Sequence, residues 1–153
     1  LLGLSPSHVV TEPVIASRGL PFHLIELDSL NALQQAIPSS AAWARHVSSS
    51  GVEQLYLYVA MNDEGGIRSR MFSMESDIRE DPATGSAAAA LTGMLADMQE
   101  GQAPNVRRWR IEQGVEMGRA SRILSETDAR TNGQQRVRIG GQAVLIGNGA
   151  ISV

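Results

Sequence analysis

Ser86-Ala87-Ala88-Ala89-Ala90-Leu91-Thr92-Gly93-Met94-Leu95-Ala96-Asp97-Met98-Gln99-Glu100 is the one long helical stretch in this sequence of 153 residues. Ala87, Ala88, Ala89, Ala90, Leu91, Met94, Leu95 and Met98 cover almost the whole circumference of such a helix. A helix that is apolar all round belongs in an interior rather than on a surface. Its alanines let strands come close to its backbone, and Gly93 leaves a notch midway. Gly101 is the natural stop. The expectation is a strongly curved sheet, or barrel, wrapped around one central buried helix.

Working outward, the remaining segments read mostly as strands. Residues 9–17 and 22–27 flank the turn Arg18-Gly19-Leu20-Pro21. Ser29 caps a short helical pattern with Leu30 and Leu33, which Pro38 stops. A second short helix is expected over 40–48, with Gly51 in the C′ position. Leu55-Tyr56-Leu57-Tyr58-Val59-Ala60-Met61 is a strand by composition. Asn62-Asp63-Glu64-Gly65-Gly66 then has hairpin chemistry. The return strand over 67–73 puts Arg68, Arg70 and Phe72 on one face and Ile67 and Met71 on the other. A polar loop over 74–84 leads into the long helix. Beyond it, residues 106–113, 115–124, 134–139, 142–146 and 150–153 read as successive strands between glycine-bearing turns. Strands, one dominant helix, then strands again, without βαβ alternation, indicate a single α+β domain over 1–153 with a mostly antiparallel sheet.

Composition narrows the chemistry. All 13 basic side chains are arginine, and there is no cysteine. A Schiff-base lysine, a P-loop lysine, a thiolate nucleophile and a cysteine–metal cluster are therefore absent from this chain. Disulfides are impossible, so the missing cysteines say nothing about compartment. The apolar fraction of 42% and charged fraction of 19% are ordinary for a folded domain. Aromatics make up 4% of the chain, so the core is expected to be aliphatic. A net charge of −3 gives no general attraction to nucleic acid or anionic membrane. No apolar run reaches the roughly 20 residues that span a bilayer. Leu1-Leu2-Gly3-Leu4 is no signal peptide, and a start without methionine suggests a piece of something longer.

The informative segment is Glu80-Asp81-Pro82-Ala83-Thr84-Gly85-Ser86, directly before the helix. Pro82 keeps Asp81 extended ahead of the turn. Thr84 or Ser86 can serve as N-cap, and Gly85 lets the chain turn tightly or a ligand approach it. The first amides of the helix, together with its dipole, form an anion site suited to a carboxylate. Asp81 lies five residues before Ser86, so a carboxylate and a hydroxyl can face one small cavity. That pairs an anion anchor with a proton-transfer group, as movement of a proton α to a carboxylate requires. Plain capping, worth about 1 kcal/mol, also explains these residues.

Other residues have plainer readings. His8, His23 and His46 lack metal-ligand spacing and suit surface or capping roles. Arg107-Arg108-Trp109-Arg110 lies on a strand of an acidic chain, which favours a solvated face over nucleic-acid binding. Arg119 fits a structural arginine linking strands, and Gln113-Gly114 a bulge or tight turn. No glycine pattern supports dinucleotide binding, and Ser86 is not in a nucleophile elbow.

Glu80-Asp81-Pro82-Ala83-Thr84-Gly85-Ser86-Ala87-Ala88 resembles the signature of the phenazine-biosynthesis PhzF-like isomerase family. Arg70-Met71-Phe72-Ser73 before it is similar to the family's motifs. So are Glu112-Gln113-Gly114, Gly118-Arg119-Ala120-Ser121 and the run Val137-Arg138-Ile139-Gly140-Gly141-Gln142-Ala143-Val144. Gly3-Leu4-Ser5 and Ser17-Arg18-Gly19-Leu20-Pro21 fit the opening. The resemblance covers the whole chain but only the second half of a family member.

It implies two similar domains of the diaminopimelate-epimerase type, an active site in the cleft between them, and neither metal nor organic cofactor. A glutamate of the first domain is the main acid/base by the family pattern, and that half is absent from this sequence. Asp81 and Ser86 match the assisting aspartate and serine. The resemblance assigns substrate binding to Thr84, Gly85 and Ser86, with the amides of Gly85 and Ser86 on the carboxylate. Glu80 matches the second-domain motif rather than the catalytic glutamate. The lack of cysteine sets the chain apart from the cysteine-pair racemases of related fold. The implied partners are a small carboxylate substrate, the missing N-terminal domain or a chain carrying it, and a second copy in a homodimer. Nucleic acid and membrane are not expected partners, and a cytoplasmic location is. The other function class is a noncatalytic carboxylate-binding or regulatory domain of the same fold.

Overall fold

A computed structural model describes residues 1–61, 65–74, 76–99, 106–129 and 134–150. The strands are β1 (Val14–Ser17), β2 (Pro21–Glu26), β3 (Gln54–Ala60), β4 (Gly66–Met74), β5 (Ile78–Asp81), β6 (Val106–Gln113), β7 (Ser121–Ala129) and β8 (Gln135–Gly140). The α-helices are α1 (Leu30–Gln35), α2 (Ser40–His46) and α3 (Gly85–Asp97). One sheet runs in the order β1-β2-β3-β4-β6-β7-β8, with β5 branching from β4. The protein is a mixed α+β half-barrel. Helix α3 packs against β1 and β2 at one end of the order and against β6, β7 and β8 at the other. A sheet whose two ends reach one helix has to curl.

Seven strand pairings build the sheet: β2–β3 and β4–β6 are parallel, and the other five are antiparallel. The parallel pairs correct the expectation of no βαβ alternation. Helices α1 and α2 lie between β2 and β3 in the chain, and α3 lies between β4 and β6. Parallel neighbours need a long crossover, and each helical segment supplies one. The central strands are buried on both faces. Tyr56 and Tyr58 of β3 join the cluster with Leu91 of α3, while Leu55, Leu57 and Val59 join Leu33 of α1 and Trp43 of α2. Strands covered on both sides read as nearly continuous apolar runs, as β3 does. On β4, Ile67 and Met71 enter the first cluster and Phe72 the second.

Burial of α3 is narrower than an all-round apolar surface suggests. Ala87, Ala88, Ala90, Leu91, Thr92 and Gly93 are buried, whereas Met98 is 68% exposed. The last turn comes out to solvent, where Asp97 receives Arg18 Nη2 at 2.5 Å. Arg18 also fills the notch at Gly93, where a Cβ would stand 2.6 Å from its Nε.

Further boundaries differ from expectation. Within 9–17 only Val14–Ser17 is a strand; Pro6–His8 is a 3₁₀ turn and Val9 makes one bridge to Leu27. The polar loop over 74–84 contains β5, because Ile78–Asp81 finds an edge along β4. Residues 115–118 form a turn rather than the start of a strand, and β7 begins at Ser121. Residues 142–146 form no strand and pair with none of the described strands. Gly101, Asn62, Asp63 and Glu64 and the end of the strand expected over 150–153 lie outside the described residues.

Leu91 is fully buried between helix and sheet. Leu91→Ala is expected to cost about 2–5 kcal/mol in urea unfolding, and Leu124→Ala, on a side chain 46% exposed, less than about 0.5. Equal losses at the two positions would contradict this burial pattern.

Candidate active site

Asp81 closes β5 and Gly85 opens α3, so three residues bridge a strand end and a helix start. Thr84 occupies the N-cap position with φ −120° and ψ 91°, yet its side chain makes no capping bond. Its hydroxyl donates instead to Asp81 Oδ2 at 2.5 Å. The first amide to bond back within the helix is Ala88 N, to Thr84 O at 3.1 Å. The N–H groups of Gly85, Ser86 and Ala87 precede it and have no intrahelical acceptor by construction. Asp81, Gly85 and Ser86 are half-buried, and Thr84 is buried. Ser86 Oγ and Asp81 Oδ1 have no hydrogen-bond partner among the described residues.

Thr84 is held in turn by Gln113, the last residue of β6. Gln113 is 0% exposed. Its Nε2 donates to Asp81 O at 2.7 Å and to Thr84 Oγ1 at 2.9 Å. Its Oε1 accepts from Thr84 N at 3.2 Å and stands 3.3 Å from Tyr56 Oη. The Thr84 N–H fixes which end of the amide is oxygen, so the chain of donors runs one way, from Gln113 through Thr84 to Asp81. Tyr56 also donates to Ser69 Oγ at 2.9 Å, and burial pushes its phenol well above the ordinary range.

Two further contacts fix the loop. Ser121 Oγ donates to Pro82 O at 2.7 Å. Gly114 has φ +76°, and a Cβ there would lie 2.7 Å from Pro82 O and 2.5 Å from Arg119 O. Gly114 is therefore a tight turn demanded by close backbone approach. At the start of the loop, Glu80 receives Arg70 Nε and Nη2, each at 2.8 Å. Arg70 Nη1 reaches back to Leu33 O and Ala36 O, both at 2.9 Å. That paired geometry occupies Glu80 as a structural partner.

All four predicted residues, Asp81, Thr84, Gly85 and Ser86, thus belong to one short loop and helix start. Gln113 is the residue the sequence reading undervalued. The signal was available: Gln113 follows Trp109 and Ile111 at the inward positions of β6, where a polar side chain needs partners. Ile139 was also missed, and its Cγ2 lies 3.3 Å from where a Gly85 Cβ would be. Arg119 does not link strands, since its guanidinium has no partner among the described residues. His8 pairs with Asp28 at 3.0 Å on the surface. His23 meets Ser50 Oγ at 2.8 Å, and burial lowers its pKa. Among the described residues no group of three or more His, Cys, Asp or Glu is placed to hold a metal, and no helix is long and apolar enough to cross a membrane. A hollow of about 1140 Å³ lined by Arg108, Arg110, Leu124 and Arg138 includes none of the four loop residues.

The fold is thus an α+β half-barrel with the Asp81 carboxylate held beside the start of its longest helix, α3. The sequence profile of the phenazine biosynthesis-like protein family, PhzC–PhzF, matches residues 2–149, and this chain belongs to that family. It is 33% identical to an uncharacterised isomerase of Mesorhizobium japonicum, covering 99% of this chain and 53% of that protein. It is 33% identical to the trans-2,3-dihydro-3-hydroxyanthranilate isomerase of Pseudomonas chlororaphis, covering 98% and 50%. The crystal structure of a Bacillus anthracis PhzF-family phenazine biosynthesis protein superposes with a TM-score of 0.78 at 19% identity, over 92% of this chain and 49% of that one. The chain spans about half the length of these proteins.

Gln113→Leu is expected to lower stability by about 2 kcal/mol or more, because it leaves the buried Thr84 N–H without its acceptor and the Asp81 carbonyl without its donor. A urea midpoint indistinguishable from the unmodified chain would show that these bonds do not hold the loop.

Proposed function

We propose that this chain is the C-terminal half of an isomerase or epimerase that moves a proton on a small carboxylate substrate without a cofactor. The observation that carries the reading is the behaviour of Thr84. Its hydroxyl serves Asp81 rather than the helix end, so the amides of Gly85 and Ser86 stay available to an anion. In this reading the substrate carboxylate lies on those two amides, where the helix dipole favours negative charge. When the C–H bond next to the carboxylate breaks, its electron pair spreads toward the carboxylate. Donors already aimed there stabilise the added charge without reorganising.

Asp81 assists beside that point. Thr84 and Gln113 hold it through Oδ2 and its backbone carbonyl, which leaves Oδ1 to face ligand. Ser86 offers a hydroxyl with no competing partner. The principal acid/base is assigned to the companion half, a domain of the same helix-centred, mostly antiparallel type. Relatives of about twice this length that are named isomerases support that assignment. The opposite wall of the cleft then comes from the companion domain or a chain carrying it.

Two measurements test the reading. In the two-domain protein, Asp81→Asn should lower kcat by about 10²–10⁴-fold, the range for a positioned proton-transfer group. Retention of full activity would remove Asp81 from that set. The 153-residue chain alone should show negligible exchange of a substrate α-proton into deuterated water. Exchange at the rate of the two-domain protein would place the main acid/base within this half.

A further inference from the structure

We propose that the outer face of β6, β7 and β8 carries a second anion site, separate from the loop at Asp81 and built for a phosphate monoester with a compact apolar body. The inference goes beyond the isomerase reading and does not depend on the chemistry of Asp81.

Trp109, Ile111 and Ile123 face α3, so the even-numbered side chains of β6 and β7 stand on the opposite face, where they are exposed or half-buried. Cross-strand register sets them in rows. In one row Arg108, Glu126 and Arg138 lie side by side. Glu126 takes Arg108 Nε at 2.8 Å on one oxygen and Arg138 Nη1 at 2.9 Å on the other. Asp128 takes Arg138 Nη2 at 2.8 Å. Two guanidinium groups are thereby held over the sheet, so less side-chain freedom is left to lose when a ligand arrives. Arg108 uses only Nε on Glu126, and its Nη1 and Nη2 have no partner among the described residues. That pair of donors matches two oxygens of one phosphate. The next row is Gly66, Arg110, Leu124 and Gly140. Its two glycines have no side chain to cover Leu124, which is 46% exposed and forms an apolar floor beside the arginines.

The hollow at this place measures about 1140 Å³, and the described residues that line it include four arginines and one glutamate. Their net charge of +3 stands against −3 for the whole chain. A bare ion would leave the Leu124 floor wet. Small-molecule sites of roughly 300–1,000 Å³ combine apolar lining with a few converging polar groups, as this hollow does. A doubly charged phosphate gains more than a carboxylate from several cations at once. Nucleic acid is the poorer fit. The chain is acidic, and Trp109, the aromatic residue at the hollow, is only 8% exposed and offers no face for stacking bases.

The test titrates phenyl phosphate into the polypeptide produced from the native gene, with benzoate and inorganic phosphate in parallel, and follows the backbone amide resonances. The expected result is saturable binding of phenyl phosphate that shifts the amides of Arg108, Arg110, Leu124 and Arg138 and is tighter than either comparison. Arg108→Gln, at an exposed side chain, should weaken it by about tenfold or more, and Asp81→Asn should leave it unchanged. Leu124→Glu, which brings a negative charge to the floor, should abolish it without moving the thermal midpoint. Shifts confined to Gly85 and Ser86 would assign the anion to the helix start and overturn the proposal. Absence of binding up to about 10 mM phenyl phosphate would overturn it as well. So would benzoate binding as tightly as phenyl phosphate. Each of these failures leaves the isomerase reading where it stands.

Discussion

The buried amide of Gln113 is the interaction on which the candidate site depends. A primary amide at 0% exposure is costly unless its groups are paired, and the loop before α3 supplies the pairing. The same bonds that satisfy Gln113 orient Thr84 and grip Asp81 from two sides. A single buried group thus ties the end of β6 to the end of β5 and the start of α3. The carboxylate is positioned by the interior of the domain rather than by its surface.

A second tie works from the opposite face of the sheet. Arg70 spans from carbonyls at the end of α1 to Glu80, with its charge over the Phe72 ring at 4.8 Å. Only a guanidinium has enough donors in a fixed fork to hold a carboxylate and several carbonyls at once. Asp81 follows Glu80, so its backbone is fixed on one side by an ion pair and on the other by the Gln113 amide.

The parts of this architecture that were legible in the sequence are those governed by local pattern. The apolar run of β3, the alternation along β4 and the alanine-rich helix each declare themselves by periodicity. The Asp-Pro-Ala-Thr-Gly-Ser loop announces itself by turn chemistry and by its likeness to one family. Distant partnership was not legible. β5 forms because β4 has a free edge, whereas 142–146 pairs with none of the described strands, although its side chains are the better strand formers. The role of Thr84 was half-visible: its position at the cap was clear, but its preference for Asp81 over the helix end depends on Gln113, 29 residues away. The two parallel pairings were hidden for the same reason, since register between β2 and β3 is set after α1 and α2 have packed.

The close approach of Gly114 to Pro82 has a mechanical consequence. With the Pro82 carbonyl resting where a side chain would be, and Ser121 bonded to that same oxygen, the loop carrying Asp81 has no space behind it. It also has no slack, being held by side chains from β4, β6 and β7. The loop is a fixed jaw. Narrowing of the site around a ligand must then be carried by whatever lies across from it, and the cost of that motion falls on contacts outside this domain's core.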